Sequence, residues 1–497
     1  MRAVEFETRF GRLSGAVAGD LARTLRAGER VKSAGFLAIE ARLATLDPHS
    51  RSNDLANIAC RRSAANGDLI NAYTEYEDVV REGARAEAAV AAAASSELAS
   101  RGAALTEGGA VEDPTALRGA LDAAFGGGPN WLVYDPGADK ASLGEAELEV
   151  AERVRRYNAK RDDWRVMIEA PFLLEVRAGA FAHVYLDDVL VHRQTRMRLV
   201  RRNGQWVTRS QVGDWIFHSV ARVEADGLAI ILEARSQAAL LAQVLAALLA
   251  NGLEGRTLVF FTDGEESLRE GVEATFADWP HQMWLDYYHV TQNLKGRLSM
   301  ALRPGKVIDD TVKPKRFKNG KVKKSTVKRI TRSKYHLRVL KACLWAGNVE
   351  GAIDYLRWLL RQEGELKAGG AEQIEGAISY LERKGARIPC YAIRWQFGLP
   401  NTSNPVEIAN NTLVSRRQKK KGTSWCDDGS FALSGLTRAF EEGVAEELFT
   451  LGKVSLKLRE KAADRGRTTG LEWIVDPELQ GIVLDEVDLL DDVREAA

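Results

Sequence analysis

A run of extended segments that starts at about Phe172 most restricts how this chain of 497 residues can fold. Three regions rich in β-branched and aromatic residues come first, and Asn203-Gly204 is a dipeptide typical of a hairpin turn. A buried helix, a short apolar strand, an amphipathic helix and a further strand follow, in the sequences QAALLAQVLAALLANGL, RTLVFF, EESLREGVEATF and QMWLDYY. Hairpins followed by alternating helices and strands predict an α/β fold, in which a mixed sheet carries helices on its faces.

Changes in composition and in the pattern of apolar residues divide the chain into five parts, which are residues 1–165, 166–302, 303–395, 396–475 and 476–497. The first part is predicted to be mostly helical, with an alanine-rich helix over Arg85–Arg101, and to be either a DNA-binding module or a packing domain. The third part contains a basic loop and a helical region, Leu340–Arg387. In the fourth part, Asn404 and Pro405 predict the N-cap and the first position of a helix. The last part is acidic and is predicted to be a solvated tail.

Composition argues against several classes of protein. Seventy Lys and Arg residues against 69 Asp and Glu leave a net charge of +1, so the global charge predicts no partner. The four cysteines lie far apart, which excludes a disulfide framework and a CxxC zinc ribbon and indicates a reducing compartment. The most apolar stretch, Ala238–Ala250, is too short for a membrane span, and the N-terminus has no signal-peptide pattern. We therefore expect a cytoplasmic protein with no membrane partner.

Local clusters of basic residues predict contact with a polyanion. Arg303–Arg338 contains 14 Lys or Arg residues and two acids, and Phe317 and Tyr335 lie among the cations. Neutralisation of phosphates dominates affinity for DNA, so these cations are candidate DNA contacts, and the alternative is a solvated basic loop. The predicted DNA-binding residues of this stretch and of a second cluster near residue 418 are Lys323, Lys324, Lys328, Arg329, Arg416, Arg417, Lys419 and Lys420.

Three acidic positions have settings that suit a metal site. Asp187 and Asp188 interrupt the apolar strand VYLDDVLV, where an unpaired charge is costly. Asp263 follows an apolar strand and is expected at its carboxyl end, where α/β sheets place their ligands. Glu407 lies in the first turn of the helix predicted after Asn404. Each position also has a purely structural interpretation, namely a β-bulge, a turn with a helix cap, and a capping box.

Considered together, these acids predict a magnesium site. Mg²⁺ prefers hard oxygen ligands, and two such ions can activate a water or a 3′-hydroxyl and stabilise the departing oxygen of a phosphodiester. The acids need only converge in space, so wide spacing in the sequence is permitted. No Ser-His-Asp or Cys-His arrangement nearby in the sequence offers another catalytic chemistry.

Four motifs occur in order between about Val184 and Leu433, and they are VYLDDVLVHRQ, LVFFTDGEESLREGVEATF, MWLDYYHVTQNLKGRLSMAL and NPVEIANNTLVSRRQKKKGTSW. This combination resembles the DDE transposases of bacterial insertion sequences, in particular the Kra-type group, which is related to Mutator-like transposases. The resemblance covers about half of the chain. It implies a ribonuclease-H-like catalytic domain, in which the first aspartate lies on the first strand and the second follows the fourth strand. The glutamate lies on a helix after an inserted α-helical domain.

The resemblance implies roles for individual residues. Asp187, Asp263 and Glu407 are the implied catalytic and metal-binding residues, and Asp188 is the alternative for the first position because neighbours in a strand face opposite sides. The 144 residues from Asp263 to Glu407 imply that residues 303–395 are the inserted domain, between two parts of the catalytic domain, 166–302 and 396–475.

A further family mark, an acid followed three residues later by a histidine, corresponds to Asp286 and His289. These two residues are expected to support the site from beside it, and a surface histidine is the alternative. Asn410-Asn411 and Thr423 depart from the family pattern, which bears on DNA contact and leaves the acidic triad unaffected.

The implied activity is cleavage at transposon ends followed by strand transfer into target DNA, with two Mg²⁺ ions as cofactors and Mn²⁺ as a substitute. A homodimer or larger assembly on DNA is implied, since two DNA ends must be brought together. One alternative is a ribonuclease-H-like nuclease that cuts without joining strands. Others are a non-catalytic DNA-binding protein derived from a transposase, and a helical scaffold with a small mixed sheet that binds no divalent metal.

Overall fold

A mixed sheet of six strands lies at the centre of the computed structural model, and helices pack on both of its faces. The predicted α/β class with a mixed sheet is therefore confirmed. The structure describes residues 2–8, 11–17, 30–32, 34–46, 72–126, 131–135, 137–159, 172–175, 179–194, 197–202, 205–210, 214–309, 319, 321, 328–362, 364–420 and 424–460. The predicted acidic tail lies outside the described residues.

The strands are β1 (Arg2–Thr8), β2 (Gly11–Val17), β3 (Arg30–Lys32), β4 (Trp131–Tyr134), β5 (Phe172–Glu175), β6 (Phe181–His192), β7 (Met197–Arg202), β8 (Gln205–Ser210), β9 (Trp215–Ala225), β10 (Leu228–Ala234), β11 (Thr257–Thr262), β12 (His281–Leu285), β13 (Lys306–Ile308), β14 (Arg329–Thr331) and β15 (Arg459–Glu460). The central sheet has the order β12–β11–β6–β9–β10–β15. Strands β6, β11 and β12 are parallel to one another, whereas β9 is antiparallel to β6 and to β10. All of β11 is buried, as its continuous apolar sequence predicts.

The helices are α1 (Ala34–Leu46), α2 (Ala72–Ser100), α3 (Arg118–Ala124), α4 (Glu145–Ala159), α5 (Gln237–Ala250), α6 (Glu266–Thr275), α7 (Tyr287–Ala301), α8 (Arg332–Trp345), α9 (Val349–Leu360), α10 (Gly370–Lys384), α11 (Tyr391–Gln396), α12 (Asn404–Asn410), α13 (Arg416–Gln418), α14 (Asp427–Glu441) and α15 (Ala445–Leu451). None of the helices that the structure describes is long and apolar enough to cross a lipid bilayer. A π-helical turn, Asn411–Ser415, joins α12 to α13, so the backbone stays helical from residue 404 to residue 418.

The hairpins differ from the sequence prediction. The second extended region forms a separate two-stranded ribbon of β7 and β8, and its predicted turn, Asn203-Gly204, lies outside the described residues. The third region supplies two strands of the sheet, β9 and β10, because Asp226 and Gly227 form a tight turn with φ of 53° and 81°. Two successive positive φ values are typical of an Asp-Gly hairpin turn. The three predicted extended regions thus contain six strands, β5 to β10, of which β6, β9 and β10 belong to the central sheet.

One face of the sheet is covered by α5, α2 and α14. Ala182, Val184 and Leu186 of β6 belong to the apolar core on this side. Helix α2 approaches α14 so closely that a Cβ on Gly83 would lie 2.2 Å from the Ala432 Cα. The alanine-rich N-terminal helix is therefore part of the packing around the sheet. Strands β1–β3, which the sequence did not indicate, form a small sheet before it.

The opposite face of the sheet is covered by the helix that follows residue 403. Tyr185 and Val189 of β6 and Phe261 of β11 pack there with Val406 and Leu413. These residues alternate in the strands with those of the first face, as the two-residue period of a strand requires. Because each face of β6 packs against a different set of helices, the odd-numbered side chains of this strand point toward residue 407.

Helices α7 to α10 form an apolar core of their own, in which Leu294, Leu340, Leu356 and Ile374 are buried. The helical region predicted over Leu340–Arg387 corresponds to the end of α8 and to all of α9 and α10, and a short 3-10 turn ends it. Before it, β13 and β14 pair in an antiparallel manner within the predicted basic stretch.

Candidate active site

Strand β6 directs Asp187 and Asp188 to opposite faces of the sheet. Asp187 shares its face with Tyr185 and Val189, which pack against the helix that carries residue 407. Asp188 points toward the start of α5, where the Gln237 side chain donates a 2.8 Å hydrogen bond to its Oδ2. Its Oδ1 is buried and has no hydrogen-bond partner among the described residues. Asp187 is therefore the member of the pair on the side of Glu407.

Asp263 lies directly after β11, at the carboxyl end of that strand, as the sequence predicts. Its side chain is exposed, and its Oδ1 accepts a hydrogen bond from the Glu265 amide at 2.9 Å. The following residue, Gly264, has φ of 97°, and a Cβ there would lie 2.8 Å from the Leu285 side chain. The bend that turns Asp263 out of the strand thus requires glycine.

Asp187 and Asp263 line the same cavity of about 480 Å³ at the edge of the sheet. Burial and the charge of Asp263 together raise the pKa of Asp187 to about 6, and the charge of His289 acts in the opposite direction. The two carboxylates are thus close enough to repel each other. Such a site favours a proton or a cation between the acids.

Glu407 lies in the first turn of α12 and is partly exposed. Its Oε1 lies 3.2 Å from the His289 Nε2. Three residues further along the helix, the Asn410 side chain donates a 2.7 Å hydrogen bond to the Asp187 Oδ2. Residues three apart share one side of a helix, so Glu407 and Asp187 lie on the same side of α12. Sequence reasoning recorded Asn410 only as a departure from the family pattern and missed this contact.

Asp286 is fully buried and joins the helices on which His289 and Glu407 lie. Its Oδ1 accepts hydrogen bonds from the backbone amides of Tyr288 and His289, and its Oδ2 accepts from the Ser403 amide and, at 2.8 Å, from the Ser403 hydroxyl. Both carboxylate oxygens are thus used to fix the starts of α7 and α12. This explains why the N-cap of α12 is Ser403, whereas the sequence predicts Asn404 and a capping box.

One potential ligand atom from each of Asp286, His289 and Glu407 lies within 4.8 Å of the others. A cation bound by all three would have to replace hydrogen bonds of Asp286 that fix two helices. His289 and Glu407 are not committed in this way, so they are the members of the cluster that can turn toward Asp187. Asp286 and His289 thus lie beside the candidate site, where the sequence predicts them.

Helix α10 borders the site from the side of the predicted insertion. The Lys384 ammonium donates to the Gly264 carbonyl at 2.8 Å and to the Glu266 carboxylate at 2.7 Å. Burial raises the pKa of Tyr380 to about 12, and the charge of Asp263 acts in the same direction. The loop that carries Asp263 is therefore held by α10. Sequence spacing gave no signal for this contact between residues more than a hundred positions apart.

The predicted DNA-binding residues occupy different environments. Lys328 and Arg329 are exposed, as are Arg416, Lys419 and Lys420 near the end of the helix that carries Glu407. Lys323 and Lys324 lie outside the described residues.

Arg417 does not fit the predicted exposed basic surface. It is buried, its guanidinium donates to the Ala44 carbonyl at 3.3 Å, and its Cζ lies 5.2 Å from the centroid of the Trp425 ring. The Arg417 side chain is buried where α1 of the N-terminal region packs against α13. Arg417 is therefore excluded from the proposed DNA surface.

Asp187 and Asp263 line one cavity, whereas Glu407 is related to Asp187 through Asn410 on the same helix and contacts His289. Among the described residues, the group of three candidate ligand atoms within 4.8 Å of one another is that of Asp286, His289 and Glu407, so the three predicted acids do not themselves form such a group. The chain matches no protein-family model, and no curated protein or solved structure is significantly similar to it. The case for a function therefore depends on this geometry and on the motifs in the sequence.

Proposed function

We propose that the protein is a DNA transposase that cleaves DNA at transposon ends and transfers the freed strand into target DNA. The observation that carries the proposal is the half-buried carboxyl of Asp187, which lines one cavity with Asp263 and whose pKa is raised beside it, on the sheet face covered by the helix of Glu407. Acids that repel one another at the edge of a sheet need a cation to be stable together. That is the requirement of metal-dependent phosphoryl transfer.

The connectivity of the sheet supports a ribonuclease-H-like catalytic domain. Asp187 lies on the first strand of the central sheet, and Asp263 follows the fourth, since β7 and β8 stand outside the sheet. Glu407 comes after the helices α8 to α10, which have their own core. This order agrees with the one implied by the resemblance to DDE transposases, including the inserted helical domain.

The donor set fits Mg²⁺. Asp187, Asp263 and Glu407 offer carboxylate oxygens, which are the ligands that this ion prefers, and Asp187 and Asp263 line one cavity. Asp187, Asp263 and Glu407 would hold the metal. When bound, Mg²⁺ lowers the pKa of a water and offsets the negative charge that develops on a phosphodiester.

The protein groups around the acids orient them for this chemistry. Asn410 fixes one oxygen of Asp187, and His289 lies against Glu407 and reduces the repulsion at Asp187. Water attacks a phosphodiester at the transposon end, the bond from phosphorus to the 3′ oxygen breaks, and that oxygen leaves as a 3′-hydroxyl. The 3′-hydroxyl then attacks a phosphorus of target DNA and its proton passes to solvent. The bond from that phosphorus to its own 3′ oxygen breaks, and this oxygen takes up a proton and leaves as a 3′-hydroxyl of the target strand. Two ends must be held at once, which favours a dimer or larger assembly on DNA.

The test uses a duplex that carries the DNA found beside the gene, incubated with the full chain and Mg²⁺. We expect cleavage and joining with the unaltered protein and neither with Asp263→Ala, while Asp354→Asn, a change at an exposed acid in α9, leaves both intact. Cleavage by Asp263→Ala would exclude that residue from the site. Joining is assayed separately with pre-cleaved ends, and cleavage without joining would favour a ribonuclease-H-like nuclease.

A further inference from the structure

Helices α7 and α10 pack side by side and run in opposite directions. A Cβ on Gly370, at the start of α10, would overlap the Ala301 carbonyl at the end of α7. At the other end of α10, the Lys384 ammonium donates to the Gly264 carbonyl at 2.8 Å. Gly264 lies against Leu285, directly before α7. The groove between the two helices therefore begins beside the loop that carries Asp263.

One side of α7 carries polar residues at intervals of four, namely His289, Asn293 and Arg297. Residues at this spacing lie on the same side of a helix. His289 contacts Glu407, with 3.2 Å between Nε2 and Oε1. Arg297 lies eight residues further on, which is about 12 Å along the helix axis. This side of α7 thus leads from the candidate site to Arg297.

The Arg297 guanidinium lies directly against α10 at Gly376. Its Nη1 occupies the place that a Cβ on Gly376 would need, so glycine makes room for the cation. Its Nε donates a 2.9 Å hydrogen bond to the Asn293 Oδ1, which leaves the side-chain NH₂ of Asn293 available as a donor. Arg297 forms no ion pair with a carboxylate among the described residues. Its charge is therefore positioned but not neutralised by the protein.

Tyr380 lies on α10 one turn after Gly376 and one turn before Lys384, so the three share one side of the helix. Burial raises the pKa of Tyr380 to about 12, the charge of Asp263 acts in the same direction, and the charge of Arg297 opposes it. The phenol is thus close to both charged groups. Its hydroxyl has no hydrogen-bond partner among the described residues and is protonated at neutral pH, so it can donate.

The other cations at this end of α10 are already paired. The Glu266 carboxylate lies 2.7 Å from the Lys384 ammonium and 3.4 Å from the Arg387 Nη2. By contrast, Asn293, Arg297 and Tyr380, which we name the notch, offer unused hydrogen-bond donors around one unpaired charge. Such a set suits a phosphate group, because a guanidinium donates two parallel hydrogen bonds to its oxygens.

We propose that the notch binds a phosphate group of the DNA strand, next to the phosphodiester that is cleaved. This inference rests on the proposed function for the identity of the nucleic acid. Since the notch extends about 12 Å along α7 from His289, its phosphate flanks the reacting one. Arg297 belongs to α7 and Tyr380 to α10, which is part of the proposed inserted domain, so a bound strand contacts both domains.

The experiment measures binding of the full chain, in EDTA so that no cleavage occurs, to a duplex that carries the DNA found beside the gene. For Arg297→Gln, the slope of log affinity against log salt should become shallower by about 0.9, the value for one phosphate contact. Tyr380→Phe should weaken binding about tenfold, as for one hydrogen bond to a charged group, and leave the slope unchanged.

The matched control is Lys295→Gln, which removes an exposed cation of α7. Lys295 lies two residues before Arg297 and therefore on the opposite side of the helix. This variant should leave the slope unchanged. A slope that changes no more with Arg297→Gln than with Lys295→Gln would overturn the notch.

Gly376→Ala tests the position of the charge without removing it. The added methyl group displaces the Arg297 guanidinium, so affinity for DNA should fall at constant salt. The melting temperature should be equal or higher, because alanine favours a helix over glycine. Binding of Gly376→Ala equal to that of the unaltered chain would mean that Arg297 acts only as a diffuse charge, which would overturn the notch.

The phosphate itself is identified by replacing single phosphates of the duplex with neutral methylphosphonates. One replacement should weaken binding of the unaltered chain but not of Arg297→Gln, because that variant has already lost the contact. The absence of such a position would overturn the proposal. Saturable binding of inorganic phosphate that Arg297→Gln abolishes, with unchanged affinity for DNA, would assign the notch to free phosphate and would overturn it as well.

The outcomes separate this inference from the proposed function. If the protein cleaves DNA and the notch variants bind like the unaltered chain, the inference fails and the proposed function stands. If the protein never cleaves DNA but the variants lose affinity as expected, the transposase proposal fails and the phosphate site stands.

Discussion

Two groups of ionisable side chains lie on the same face of the sheet, and their carboxyl pKa values shift in opposite directions. Glu175 is almost fully buried, yet the Arg394 guanidinium and His183 lower its pKa to about 2 against the effect of burial. Asp187 is less buried, but burial and the charge of Asp263 raise its pKa to about 6. The Glu175 carboxylate accepts from a buried guanidinium, whereas among the described residues the side chain that donates to Asp187 is the neutral amide of Asn410. The difference indicates that the Glu175 group stabilises the fold, whereas the Asp187 group is the one that we propose to bind a cation.

The Glu175 group also shows how a buried charge is satisfied. Its carboxylate accepts from Arg394 and from the Trp284 indole, and His183 Nε2 lies 2.8 Å from it. Arg394 in turn donates to the Pro400 carbonyl. The Glu175 group therefore connects β5, β6, β12 and α11 beneath the loop that leads to Glu407.

The largest effect is expected from removing a carboxylate of the Asp187 group. Asp263→Ala and Glu407→Gln should each lower cleavage at least a thousandfold, because the lost charge stabilisation corresponds to roughly 4 kcal/mol or more. Affinity for DNA should stay within a few-fold, which is checked by binding in EDTA. Cleavage within tenfold of the unaltered protein would show that the two groups do not differ in the proposed way.

Next in size is the expected loss of stability when the Glu175 group is broken. Glu175→Gln should lower the free energy of unfolding by about 3–5 kcal/mol, since it leaves the Arg394 charge buried without its partner. Urea unfolding measures the change. Glu382→Gln, which removes an exposed partner of Arg357, should cost under about 1 kcal/mol. Equal losses at the two positions would contradict the structural role of Glu175.

The opposite pKa shifts predict opposite pH dependences of stability without metal. Asp187 has a raised folded pKa, so its contribution is complete below about pH 4 and is lost as the pH rises to about 6, with an upper limit of about 3 kcal/mol. The contribution of Glu175 is present above its unfolded pKa and is lost as the pH falls toward 2. Unfolding of Asp187→Asn in EDTA should lack the decrease between pH 4 and 6. A decrease that persists in this variant would assign it to another group.

A smaller effect is expected at the two residues that orient the acids. His289→Ala and Asn410→Ala should each weaken Mn²⁺ binding by about 10- to 100-fold, the range for residues that support a metal ligand. Asn410→Asp keeps the shape of the side chain but replaces the amide with a negative charge. Comparison of this variant with Asn410→Ala separates the orienting role of the side chain from its electrostatic effect. Calorimetric titration gives the affinities, and an unchanged value for both alanine variants would mean that neither residue orients the acids.

The sequence predicted the parts of this arrangement that depend on local pattern. The apolar runs gave β11, β12 and α5 within a few residues, and the two-residue period of a strand anticipated that only one of Asp187 and Asp188 faces Glu407. The Asp226-Gly227 turn had a readable signal, because Asp-Gly between apolar alternations is typical of a hairpin. Because the sequence analysis does not use this turn, it treats β9 and β10 as one extended region.

The remaining features depend on contacts between distant segments. Arg394 and Glu175 are 219 positions apart, and Asp286 fixes Ser403 across 117. No local propensity reports such pairs, because each residue alone is compatible with an ordinary solvated position. The hydrogen bond from Asn410 to Asp187 belongs to the same class. The acids themselves could be named from motifs, whereas the groups that hold them could not.

The most direct test of the central claim is a calorimetric titration of the full chain with Mn²⁺ at neutral pH. We expect saturable binding that is lost in Asp187→Asn, in Asp263→Asn and in Glu407→Gln, and that is retained in Asp354→Asn. Binding of equal affinity and stoichiometry in all four variants, or no binding by the unaltered protein, would contradict the account.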